Sequence, residues 1–272
     1  MKTRILTAAI AVPLLLIVVL VLPKIVAAIM FGLMCAITAY ELLCATGLAK
    51  KIRLVVYAMV MAFLVSLWSY LGCSQVWAVA GILLFSAALF TEMMLSHIKL
   101  RIERIAVCFV AGVLIPYMIS SIIRILAVDG TGRFFVMIPF IIAFISDSGA
   151  YFAGLYLGRR KLAPVISPKK TVEGAIGGVV AAVAFMLLYM LIVDLAFDFT
   201  VNYLLVIVYS IVCSAAGVFG DLCFSVIKRQ TGIKDYGTLF PGHGGVLDRF
   251  DSMIIVAPLV EVLLTLIPLA VR

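Results

Sequence analysis

The sequence predicts an all-α, polytopic integral membrane protein with about nine transmembrane helices. Of its 272 residues, 66% are hydrophobic and only 12% are charged, whereas a soluble domain is about half apolar and about a quarter charged. The mean hydropathy is +1.29. The apolar residues are gathered into runs of about 20 residues, the length that spans a bilayer as a helix. Composition and run length therefore predict the same class.

Taken in order, the predicted spanning segments are 5–22, 25–48, 54–71, 76–95, 106–128, 134–157, 172–193, 203–228 and 253–271. The first follows Lys2 and Arg4 and superficially resembles a signal peptide. We expect it to be retained, because the run is long enough to span and no small-x-small cleavage site precedes the next segment. The expected division is 1–128 with the first five helices and 129–272 with the last four, within a single membrane domain. The longer loops of the second part, 158–171 and 229–252, carry most of its polar residues.

Lysine and arginine are distributed unequally between the two faces of this predicted bundle. Of 21 such residues, 17 fall on the face that carries the N-terminus and both polar loops. Only Lys24, Arg133 and Arg272 fall on the other face, and Arg124 lies within the fifth segment. The positive-inside rule places the richer face in the cytoplasm and the C-terminus outside. We therefore expect a multi-pass protein of the cell membrane with its polar loops in the cytoplasm.

The net charge of +8 is compatible with nucleic-acid binding, but the distribution of the bases predicts that the protein binds none. The bases stand in short clusters between apolar runs, which is typical of cytoplasmic membrane loops rather than of a basic groove. Of the six cysteines, all but Cys73 lie in apolar runs without metal-ligand spacing. We expect them to be small buried hydrophobic residues rather than disulfides or zinc ligands.

A dense polar block, 225–251, lies between two apolar segments near the C-terminus. On the helix that enters it, Asp221, Ser225 and Lys228 share one face; on the helix that leaves it, Asp248 and Asp251 do. Carboxylates at two helix ends suit a hard divalent cation such as Mg²⁺, with Asp221 and Asp248 as the main ligands. Asp251 is either a third ligand or a residue that orients the first two. The alternative for all three is ion pairing at the membrane interface.

The other polar residues of the block carry alternatives too. Four bases could hold a polyphosphate or only set the topology at the membrane surface: Lys228, Arg229, Lys234 and Arg249. Backbone N–H groups at Gly242, Gly244 and Gly245 could approach an anion. His243, flanked by glycines, either contacts phosphate or the leaving group or organises the loop.

The same block resembles the signature of the phosphatidate cytidylyltransferases, also called CDP-diacylglycerol synthases. The pattern reads S-x-x-K-R, then K-D-x-G, then F-P-G-H-G-G-V-L-D-R-F-D, ending at Asp251. A second stretch resembles the family as well, with Asp147, Ala150, Tyr151 and Gly154 followed by S-P-K-K-T-x-E-G from Ser167. The resemblance covers the C-terminal half of the chain.

This resemblance implies an enzyme that converts CTP and phosphatidate into CDP-diacylglycerol and diphosphate with the assistance of Mg²⁺, to which a second cation could be added. It implies catalytic roles for Asp221, Asp248, Lys228, Arg229 and His243. It also implies substrate contacts from a wider set: Ser225, Lys234, Asp235, Arg249, Gly244, Gly245, Asp147, Tyr151, Ser167, Lys169 and Lys170. The expected partners are CTP, phosphatidate and membrane lipids, and the sequence leaves a homodimer open.

Within the second stretch, the residues themselves leave alternatives. Asp147 either lines the catalytic cavity or makes a structural hydrogen bond. Ala150 and Gly154 allow a neighbouring helix to approach closely. Ser167 or Thr171 is expected to cap the seventh helix, with Glu173 near the positive end of its dipole. Lys169 and Lys170 either reach an anionic lipid head group or the triphosphate, or only contribute to topology.

Two other classes of protein remain as rivals. A CTP-dependent lipid kinase or a CDP-alcohol phosphotransferase shares the substrates, but the D-G-x-x-A-R pattern of the latter and a P-loop are both absent from the sequence. A transporter would use Asp147, Asp221 and Arg124 along a pathway, but its two halves should then show corresponding polar breaks. The sequence assigns no role to Glu41, Glu92, Arg124 or Glu261.

Overall fold

The computed structural model describes residues 9, 11–49, 51–96, 100–197, 199–239 and 244–271, and it is mostly helical. Within these described ranges, seven helices are long and apolar enough to cross a membrane: α2 (Lys24–Ala45), α3 (Ile52–Leu71), α4 (Gln75–Leu95), α5 (Ile102–Ala127), α6 (Gly132–Leu157), α7 (Val172–Phe197) and α8 (Tyr203–Gln230). Two apolar helices are shorter: α1 (Ala11–Val21) and α10 (Met253–Leu266). Between α8 and α10 lies the four-residue helix α9 (Leu247–Phe250). The mostly helical membrane class is thus confirmed, while nine complete spans remain a prediction.

Two of the long helices are locally irregular. Helix α5 contains a π-helical turn at Val110–Leu114, directly before the segment with Pro116, and a further interruption at Ser120. Helix α6 is interrupted at Val136, between Gly132–Phe135 and Met137–Leu157. Proline removes a backbone donor and crowds the preceding turn, which accounts for the irregularity next to Pro116.

The ninth segment ends earlier than predicted. Helix α10 stops at Leu266 rather than continuing to 271, and Pro268 follows two residues later. Proline disfavours the helical conformation of the residue before it, so it terminates the helix. The chain beyond it forms the strand β4 (Ala270–Val271), which pairs antiparallel with β3 (Thr200–Val201).

The loop predicted at 158–171 is also more ordered than expected. It forms an antiparallel hairpin of β1 (Lys161–Ala163) and β2 (Ser167–Thr171), with Lys161 opposite Thr171 and Ala163 opposite Ser167. The hairpin leads directly into α7, so it fixes the side chains of β2 relative to the start of that helix.

The described chain divides into two compact units. Unit 1 comprises the described residues within Met1–Ala127 and Gln230–Phe250, and unit 2 those within Val128–Arg229 and Asp251–Arg272. The first division falls close to the expected one at residue 128, but the segment from Gln230 to Phe250 groups with the N-terminal helices. The expected two-part organisation remains a prediction.

Unit 1 is built on the pairing of α2 with α3. Apolar side chains fill this contact, with Phe31, Leu43 and Leu54 at 0% exposure. Helix α9 packs against α2, which brings the polar segment after α8 to the end of α2. Helix α3 ends at Gly72, whose φ of +57° closes the helix in the left-handed conformation that glycine adopts most readily.

Unit 2 is built on the pairing of α6 with α7, and small residues bring these helices together. A Cβ at Gly174 would lie 2.8 Å from the Ala150 carbonyl oxygen, and one at Gly178 would lie 2.6 Å from that of Ser146. The close approach predicted at Ala150 and Gly154 is therefore confirmed. Glycine allows it because side-chain volume would hold the helices apart.

Cysteine burial follows the prediction in part. Cys35, Cys108 and Cys213 are buried, but Cys44 is exposed, and Cys73 and Cys223 are intermediate. All six are free thiols.

Candidate active site

Three carboxylates and two lysines gather in unit 2, and we call them the acidic cluster: Asp147, Asp221, Asp251, Lys170 and Lys228. Asp221 forms an ion pair with Lys170, and Asp251 faces Lys228 with 4.0 Å between the Oδ2 and Nζ atoms. Three acids with two bases leave the cluster with a net negative charge when all five are ionised. In that fully ionised state, the cluster attracts a cation.

The start of α10 and the middle of α8 position these carboxylates. A Cβ at Gly220 would lie 2.9 Å from the Asp251 carbonyl oxygen, so glycine at this position lets the two segments pack closely. Ser252 donates its hydroxyl to Asp147 Oδ2 at 3.3 Å and its backbone N–H to Asp251 Oδ1 at 2.8 Å. Ser225 donates to Asp221 Oδ1 at 3.2 Å. Each acid is thus held by a neighbouring hydroxyl, backbone or lysine group.

Asp251 shows the electrostatic consequence of this crowding. Burial, followed by the Asp221 carboxylate, raises the pKa of the Asp251 carboxyl to about 8. Asp147 contributes in the same direction, while Lys228 and the Ser252 N–H oppose the rise. A buried carboxyl beside other carboxylates resists ionisation until a cation offsets the charge.

The β-hairpin carries Lys170 to the acidic cluster. Thr171 accepts the Gly174 N–H on Oγ1 at 3.1 Å, which caps α7 as predicted. Glu173 accepts the N–H groups of Arg159 and Arg160 at 3.0 and 3.1 Å, tying the beginning of the hairpin to α7. The helix cap and the hydrogen bonds of Glu173 together fix strand β2, from which Lys170 reaches Asp221.

A second group of predicted residues lies in unit 1, and we call its described residues, 234–239 and 244–249, the signature loop. Asp248 is 7% exposed, and its Oδ2 atom accepts the N–H groups of Tyr236 at 2.7 Å and Gly245 at 3.0 Å. A Cβ at Gly244 would lie 2.9 Å from the same oxygen, and the φ of +86° there also favours glycine. Asp248 therefore organises the loop around itself.

Glu41, to which the sequence assigned no role, contacts this loop. It lies in α2 and accepts the N–H groups of Val246 on Oε1 at 3.0 Å and of Leu247 on Oε2 at 2.8 Å. An acid within a membrane-length apolar helix is a signal of function, but the sequence alone does not name its partner.

The remaining predicted residues are distributed as follows. Lys234, Asp235 and Arg249 of the signature loop are exposed, as are Tyr151 and Lys169 of unit 2, while Ser167 lies on β2 at intermediate exposure. Arg229 is exposed and donates from Nε to the Ile166 carbonyl oxygen at 3.0 Å. His243 and Pro241 lie outside the described residues, and so does Gly242. The roles implied for all these residues remain predictions.

Two of the residues that the sequence left without a role, Glu92 and Arg124, have partners in the structure. Glu92 binds Arg53 at 3.3 Å and Lys51 at 4.0 Å. Arg124 donates to the hydroxyls of Ser69 and Ser121 and lies over the ring of Tyr117. These contacts are within unit 1.

A divalent cation can be tested against the side chains present. Across the described ranges, no three His, Cys, Asp or Glu side chains converge as a ligand set. The neighbouring carboxylates of Asp221 and Asp251 fit a site of another kind, in which one or two carboxylates and substrate phosphates hold Mg²⁺. The raised pKa of Asp251 agrees with that fit, because a bound cation would offset the crowded negative charge.

An open groove of about 650 Å³ lies beside the hairpin in unit 2. Its lining is partly apolar and partly charged, with Tyr156, Leu157, Arg159, Arg160, Glu173 and Ile176 among its residues. None of the acidic cluster lines it. The cluster is thus defined by its side-chain contacts and not by this groove.

Comparison with known proteins identifies the class. A model of the cytidylyltransferase family matches residues 2–267, so the chain belongs to that family. A phosphatidate cytidylyltransferase of Bacillus subtilis (strain 168) is 34% identical over 274 residues, which cover 98% of each chain. The resemblance found in the sequence is confirmed and extends over the N-terminal half as well.

Two staphylococcal relatives are similar over a shorter stretch. Phosphatidate cytidylyltransferases of Staphylococcus haemolyticus (strain JCSC1435) and Staphylococcus aureus (strain COL) are each 39% identical, over 138 and 133 residues. These alignments cover 51% and 49% of this chain and 52% and 50% of the relatives. The chain therefore spans about half the length of these two relatives in alignment, against nearly all of the Bacillus protein.

Proposed function

We propose that this membrane protein transfers a cytidylyl group from CTP to phosphatidate, producing CDP-diacylglycerol and diphosphate. One observation carries the proposal. The acidic cluster joins acids and bases of both motif stretches in a chain that aligns end to end with a phosphatidate cytidylyltransferase. Lys170 of the second stretch meets Asp221, which lies on the helix that enters the polar block, in unit 2.

The reaction is a displacement at phosphorus. A phosphate oxygen of phosphatidate attacks the α-phosphorus of CTP and forms the new P–O bond, while the bond from the α-phosphorus to the bridging oxygen breaks and diphosphate departs. The lipid phosphate is already anionic at neutral pH, since its second pKa is about 6. The protein consequently needs no strong general base, and its task is to position two anions and to stabilise the charge that develops.

Two acids of the cluster, Asp221 and Asp251, are proposed to hold Mg²⁺ in unit 2. A ligand role for Asp248 is proposed from its place in the signature. When bound, the cation neutralises charge on the phosphate oxygens and polarises the reacting phosphorus. Lys170 now forms an ion pair with Asp221. Because a lysine is a flexible point charge, we propose that it exchanges this carboxylate for a substrate phosphate.

The bases around these acids are proposed to bind the triphosphate. In unit 2, Lys228 stands next to Asp251, and Arg229 is exposed and can be reached from water. A phosphate contact is also proposed for Arg249 of unit 1, which is exposed. Arginine offers two parallel N–H donors to a phosphate, which suits the departing diphosphate. His243 is proposed as a further phosphate contact.

We further propose that the signature loop and the hairpin face the cytoplasm. The asymmetry of lysine and arginine supports this orientation, as does the contact of the loop with Glu41 near the C-terminal end of α2, which precedes a basic segment. In a cysteine-free background, an impermeant thiol reagent should label Thr200→Cys from outside. Thr238→Cys should react only after permeabilisation, and its labelling in intact cells would reverse the orientation.

The proposed activity is tested with purified protein, CTP, phosphatidate and Mg²⁺. We expect CDP-diacylglycerol and diphosphate in equal amounts, detected by mass spectrometry and a coupled diphosphate assay. Diacylglycerol replaces phosphatidate in the control reaction and should yield no product. Lack of a CDP-lipid from protein in native-like lipid would refute the proposal.

A further inference from the structure

Glu41 is a buried acid with no assigned part in the reaction. It lies in the last turns of α2, a helix of membrane-spanning length, and it is 4% exposed. Placing a carboxylate in such a segment is unfavourable unless the acid has polar partners and a function.

Both partners of Glu41 come from the signature loop. The two carboxylate oxygens accept the consecutive N–H groups of Val246 and Leu247 at 3.0 and 2.8 Å. Hydrogen bonds to an ionised acceptor are stronger than those between neutral groups. These two residues directly precede Asp248, so the contact with α2 fixes the backbone from which Asp248 projects.

The loop is also shaped around this carboxylate. A Cβ at Gly245 would lie 2.5 Å from Cδ and from Oε2 of Glu41, and the three atoms nearest to it all belong to Glu41. Gly237 is similarly close to the carboxylate. Absence of a side chain at these two positions is what lets the loop surround the acid.

Two carboxylates therefore accept four backbone N–H groups of the loop. Asp248 accepts from Tyr236 and Gly245, and Glu41 accepts from Val246 and Leu247. We propose that Glu41 is a positioning residue, which holds the signature loop in its reactive shape from helix α2 and acts on catalysis through Asp248. This inference rests on the proposed cytidylyltransferase activity.

The first test compares Glu41→Gln with Glu92→Gln. The glutamine retains one acceptor oxygen but presents an amide N–H₂ to the second backbone donor, so one hydrogen bond is lost. We expect kcat/KM for CTP to fall roughly tenfold, as loss of one charge-assisted hydrogen bond implies. Glu92 is a matched control, since it is a buried acid of the same unit bound to the side chains of Arg53 and Lys51. Its variant should stay within about twofold of wild type in kcat/KM, because no loop contact is removed.

Hydrogen–deuterium exchange provides a readout that does not depend on activity. The amides of Val246 and Leu247 should exchange faster in Glu41→Gln than in wild type and should be unchanged in Glu92→Gln. If the wild-type enzyme were inactive, the proposed function would fail while this measurement still decided whether Glu41 holds the loop. Unchanged exchange at both amides would overturn the positioning role.

A double-mutant cycle tests the shape of the contact. Gly245→Ala should reduce kcat/KM strongly because the methyl group meets the Glu41 carboxylate. In a Glu41→Ala background that obstacle is gone, so the second substitution should cause little further loss. Strictly additive effects would show that Gly245 and Glu41 act independently and would contradict the proposal. Should Glu41→Ala fail to fold, Glu41→Ser in the same cycle still removes the carboxylate.

Discussion

The signature loop and the acidic cluster both contain buried aspartates, but they use them differently. In the loop, Asp248 binds backbone N–H groups, and these partners are fixed by the fold. In the cluster, Asp221 and Asp251 face the lysine side chains of Lys170 and Lys228, and such partners can move. The described loop residues are therefore held by backbone contacts, whereas the carboxylates of the cluster contact flexible lysine side chains, which the proposed exchange of protein contacts for ligands requires.

Replacing the two main acids should give the largest effects. Asp221→Asn and Asp248→Asn should each lower kcat about a hundredfold or more, since each removes a carboxylate that is proposed to stabilise charge in the reaction. Steady-state kinetics in native-like lipid, with expression and melting temperature recorded, measures this. Asp194→Asn serves as a control, because Asp194 is also in unit 2 but accepts the hydroxyl of Tyr203.

Asp248→Asn separates the scaffold role from a ligand role. Both backbone bonds end on a single oxygen, so the amide oxygen of asparagine can keep them. The exchange rates of the Tyr236 and Gly245 amides should remain those of wild type while activity is lost. Asp248→Ala should lose both the activity and the wild-type exchange rates of these two amides. Near-normal activity in Asp248→Asn would show that Asp248 serves the loop alone.

The exposed arginines should have the next largest effects. Arg229→Gln and Arg249→Gln should raise the KM for CTP by roughly one to two decades, because each charge-assisted contact with phosphate is lost. CTP is varied at saturating phosphatidate, then the reverse, with Arg101→Gln as the control on an exposed base. Equal small effects on both substrates together with reduced expression would assign these bases to topology.

The titration of Asp251 should produce a smaller, graded effect. Its native pKa of about 8 lies above the ordinary value of 3.8, so the metal-free protein carries a proton there at neutral pH. Cation binding has to displace this proton. The dissociation constant for Mn²⁺, measured calorimetrically without nucleotide, should therefore fall about tenfold per pH unit between pH 6 and pH 8 and then level off.

The same titration of Asp251 should also change the stability of the metal-free fold with pH. A raised native pKa means that the proton on Asp251 stabilises the metal-free fold at low pH, and this contribution is lost as the pH rises through about 8. Asp251→Asn should abolish the pH dependence of the Mn²⁺ affinity and this contribution to the pH dependence of stability. A cation affinity that is independent of pH in wild type would exclude Asp251 from the site.

Much of this architecture is predictable because it is local. Apolar runs predicted the long helices, the spacing of Ala150 and Gly154 predicted that a neighbouring helix approaches α6 closely, and Ser167 or Thr171 was expected as the cap of α7. The contacts that the sequence did not predict are long-range. Glu41 and Val246 are separated by 205 positions, and Lys170 reaches Asp221 through a hairpin that has no strong turn signal. A charged residue within an apolar segment can be recognised in the sequence as a functional candidate, but only the fold identifies the residues that it contacts.

The central claim is that the cytidylyl group, and not the terminal phosphate, moves to the lipid. Purified protein is incubated with phosphatidate, Mg²⁺ and CTP labelled with ³²P at either the α or the γ position. We expect α-labelled CTP to transfer its label to the lipid and γ-labelled CTP to place its label in diphosphate. Label from the γ position in the lipid would exclude cytidylyl transfer and identify a CTP-dependent lipid kinase.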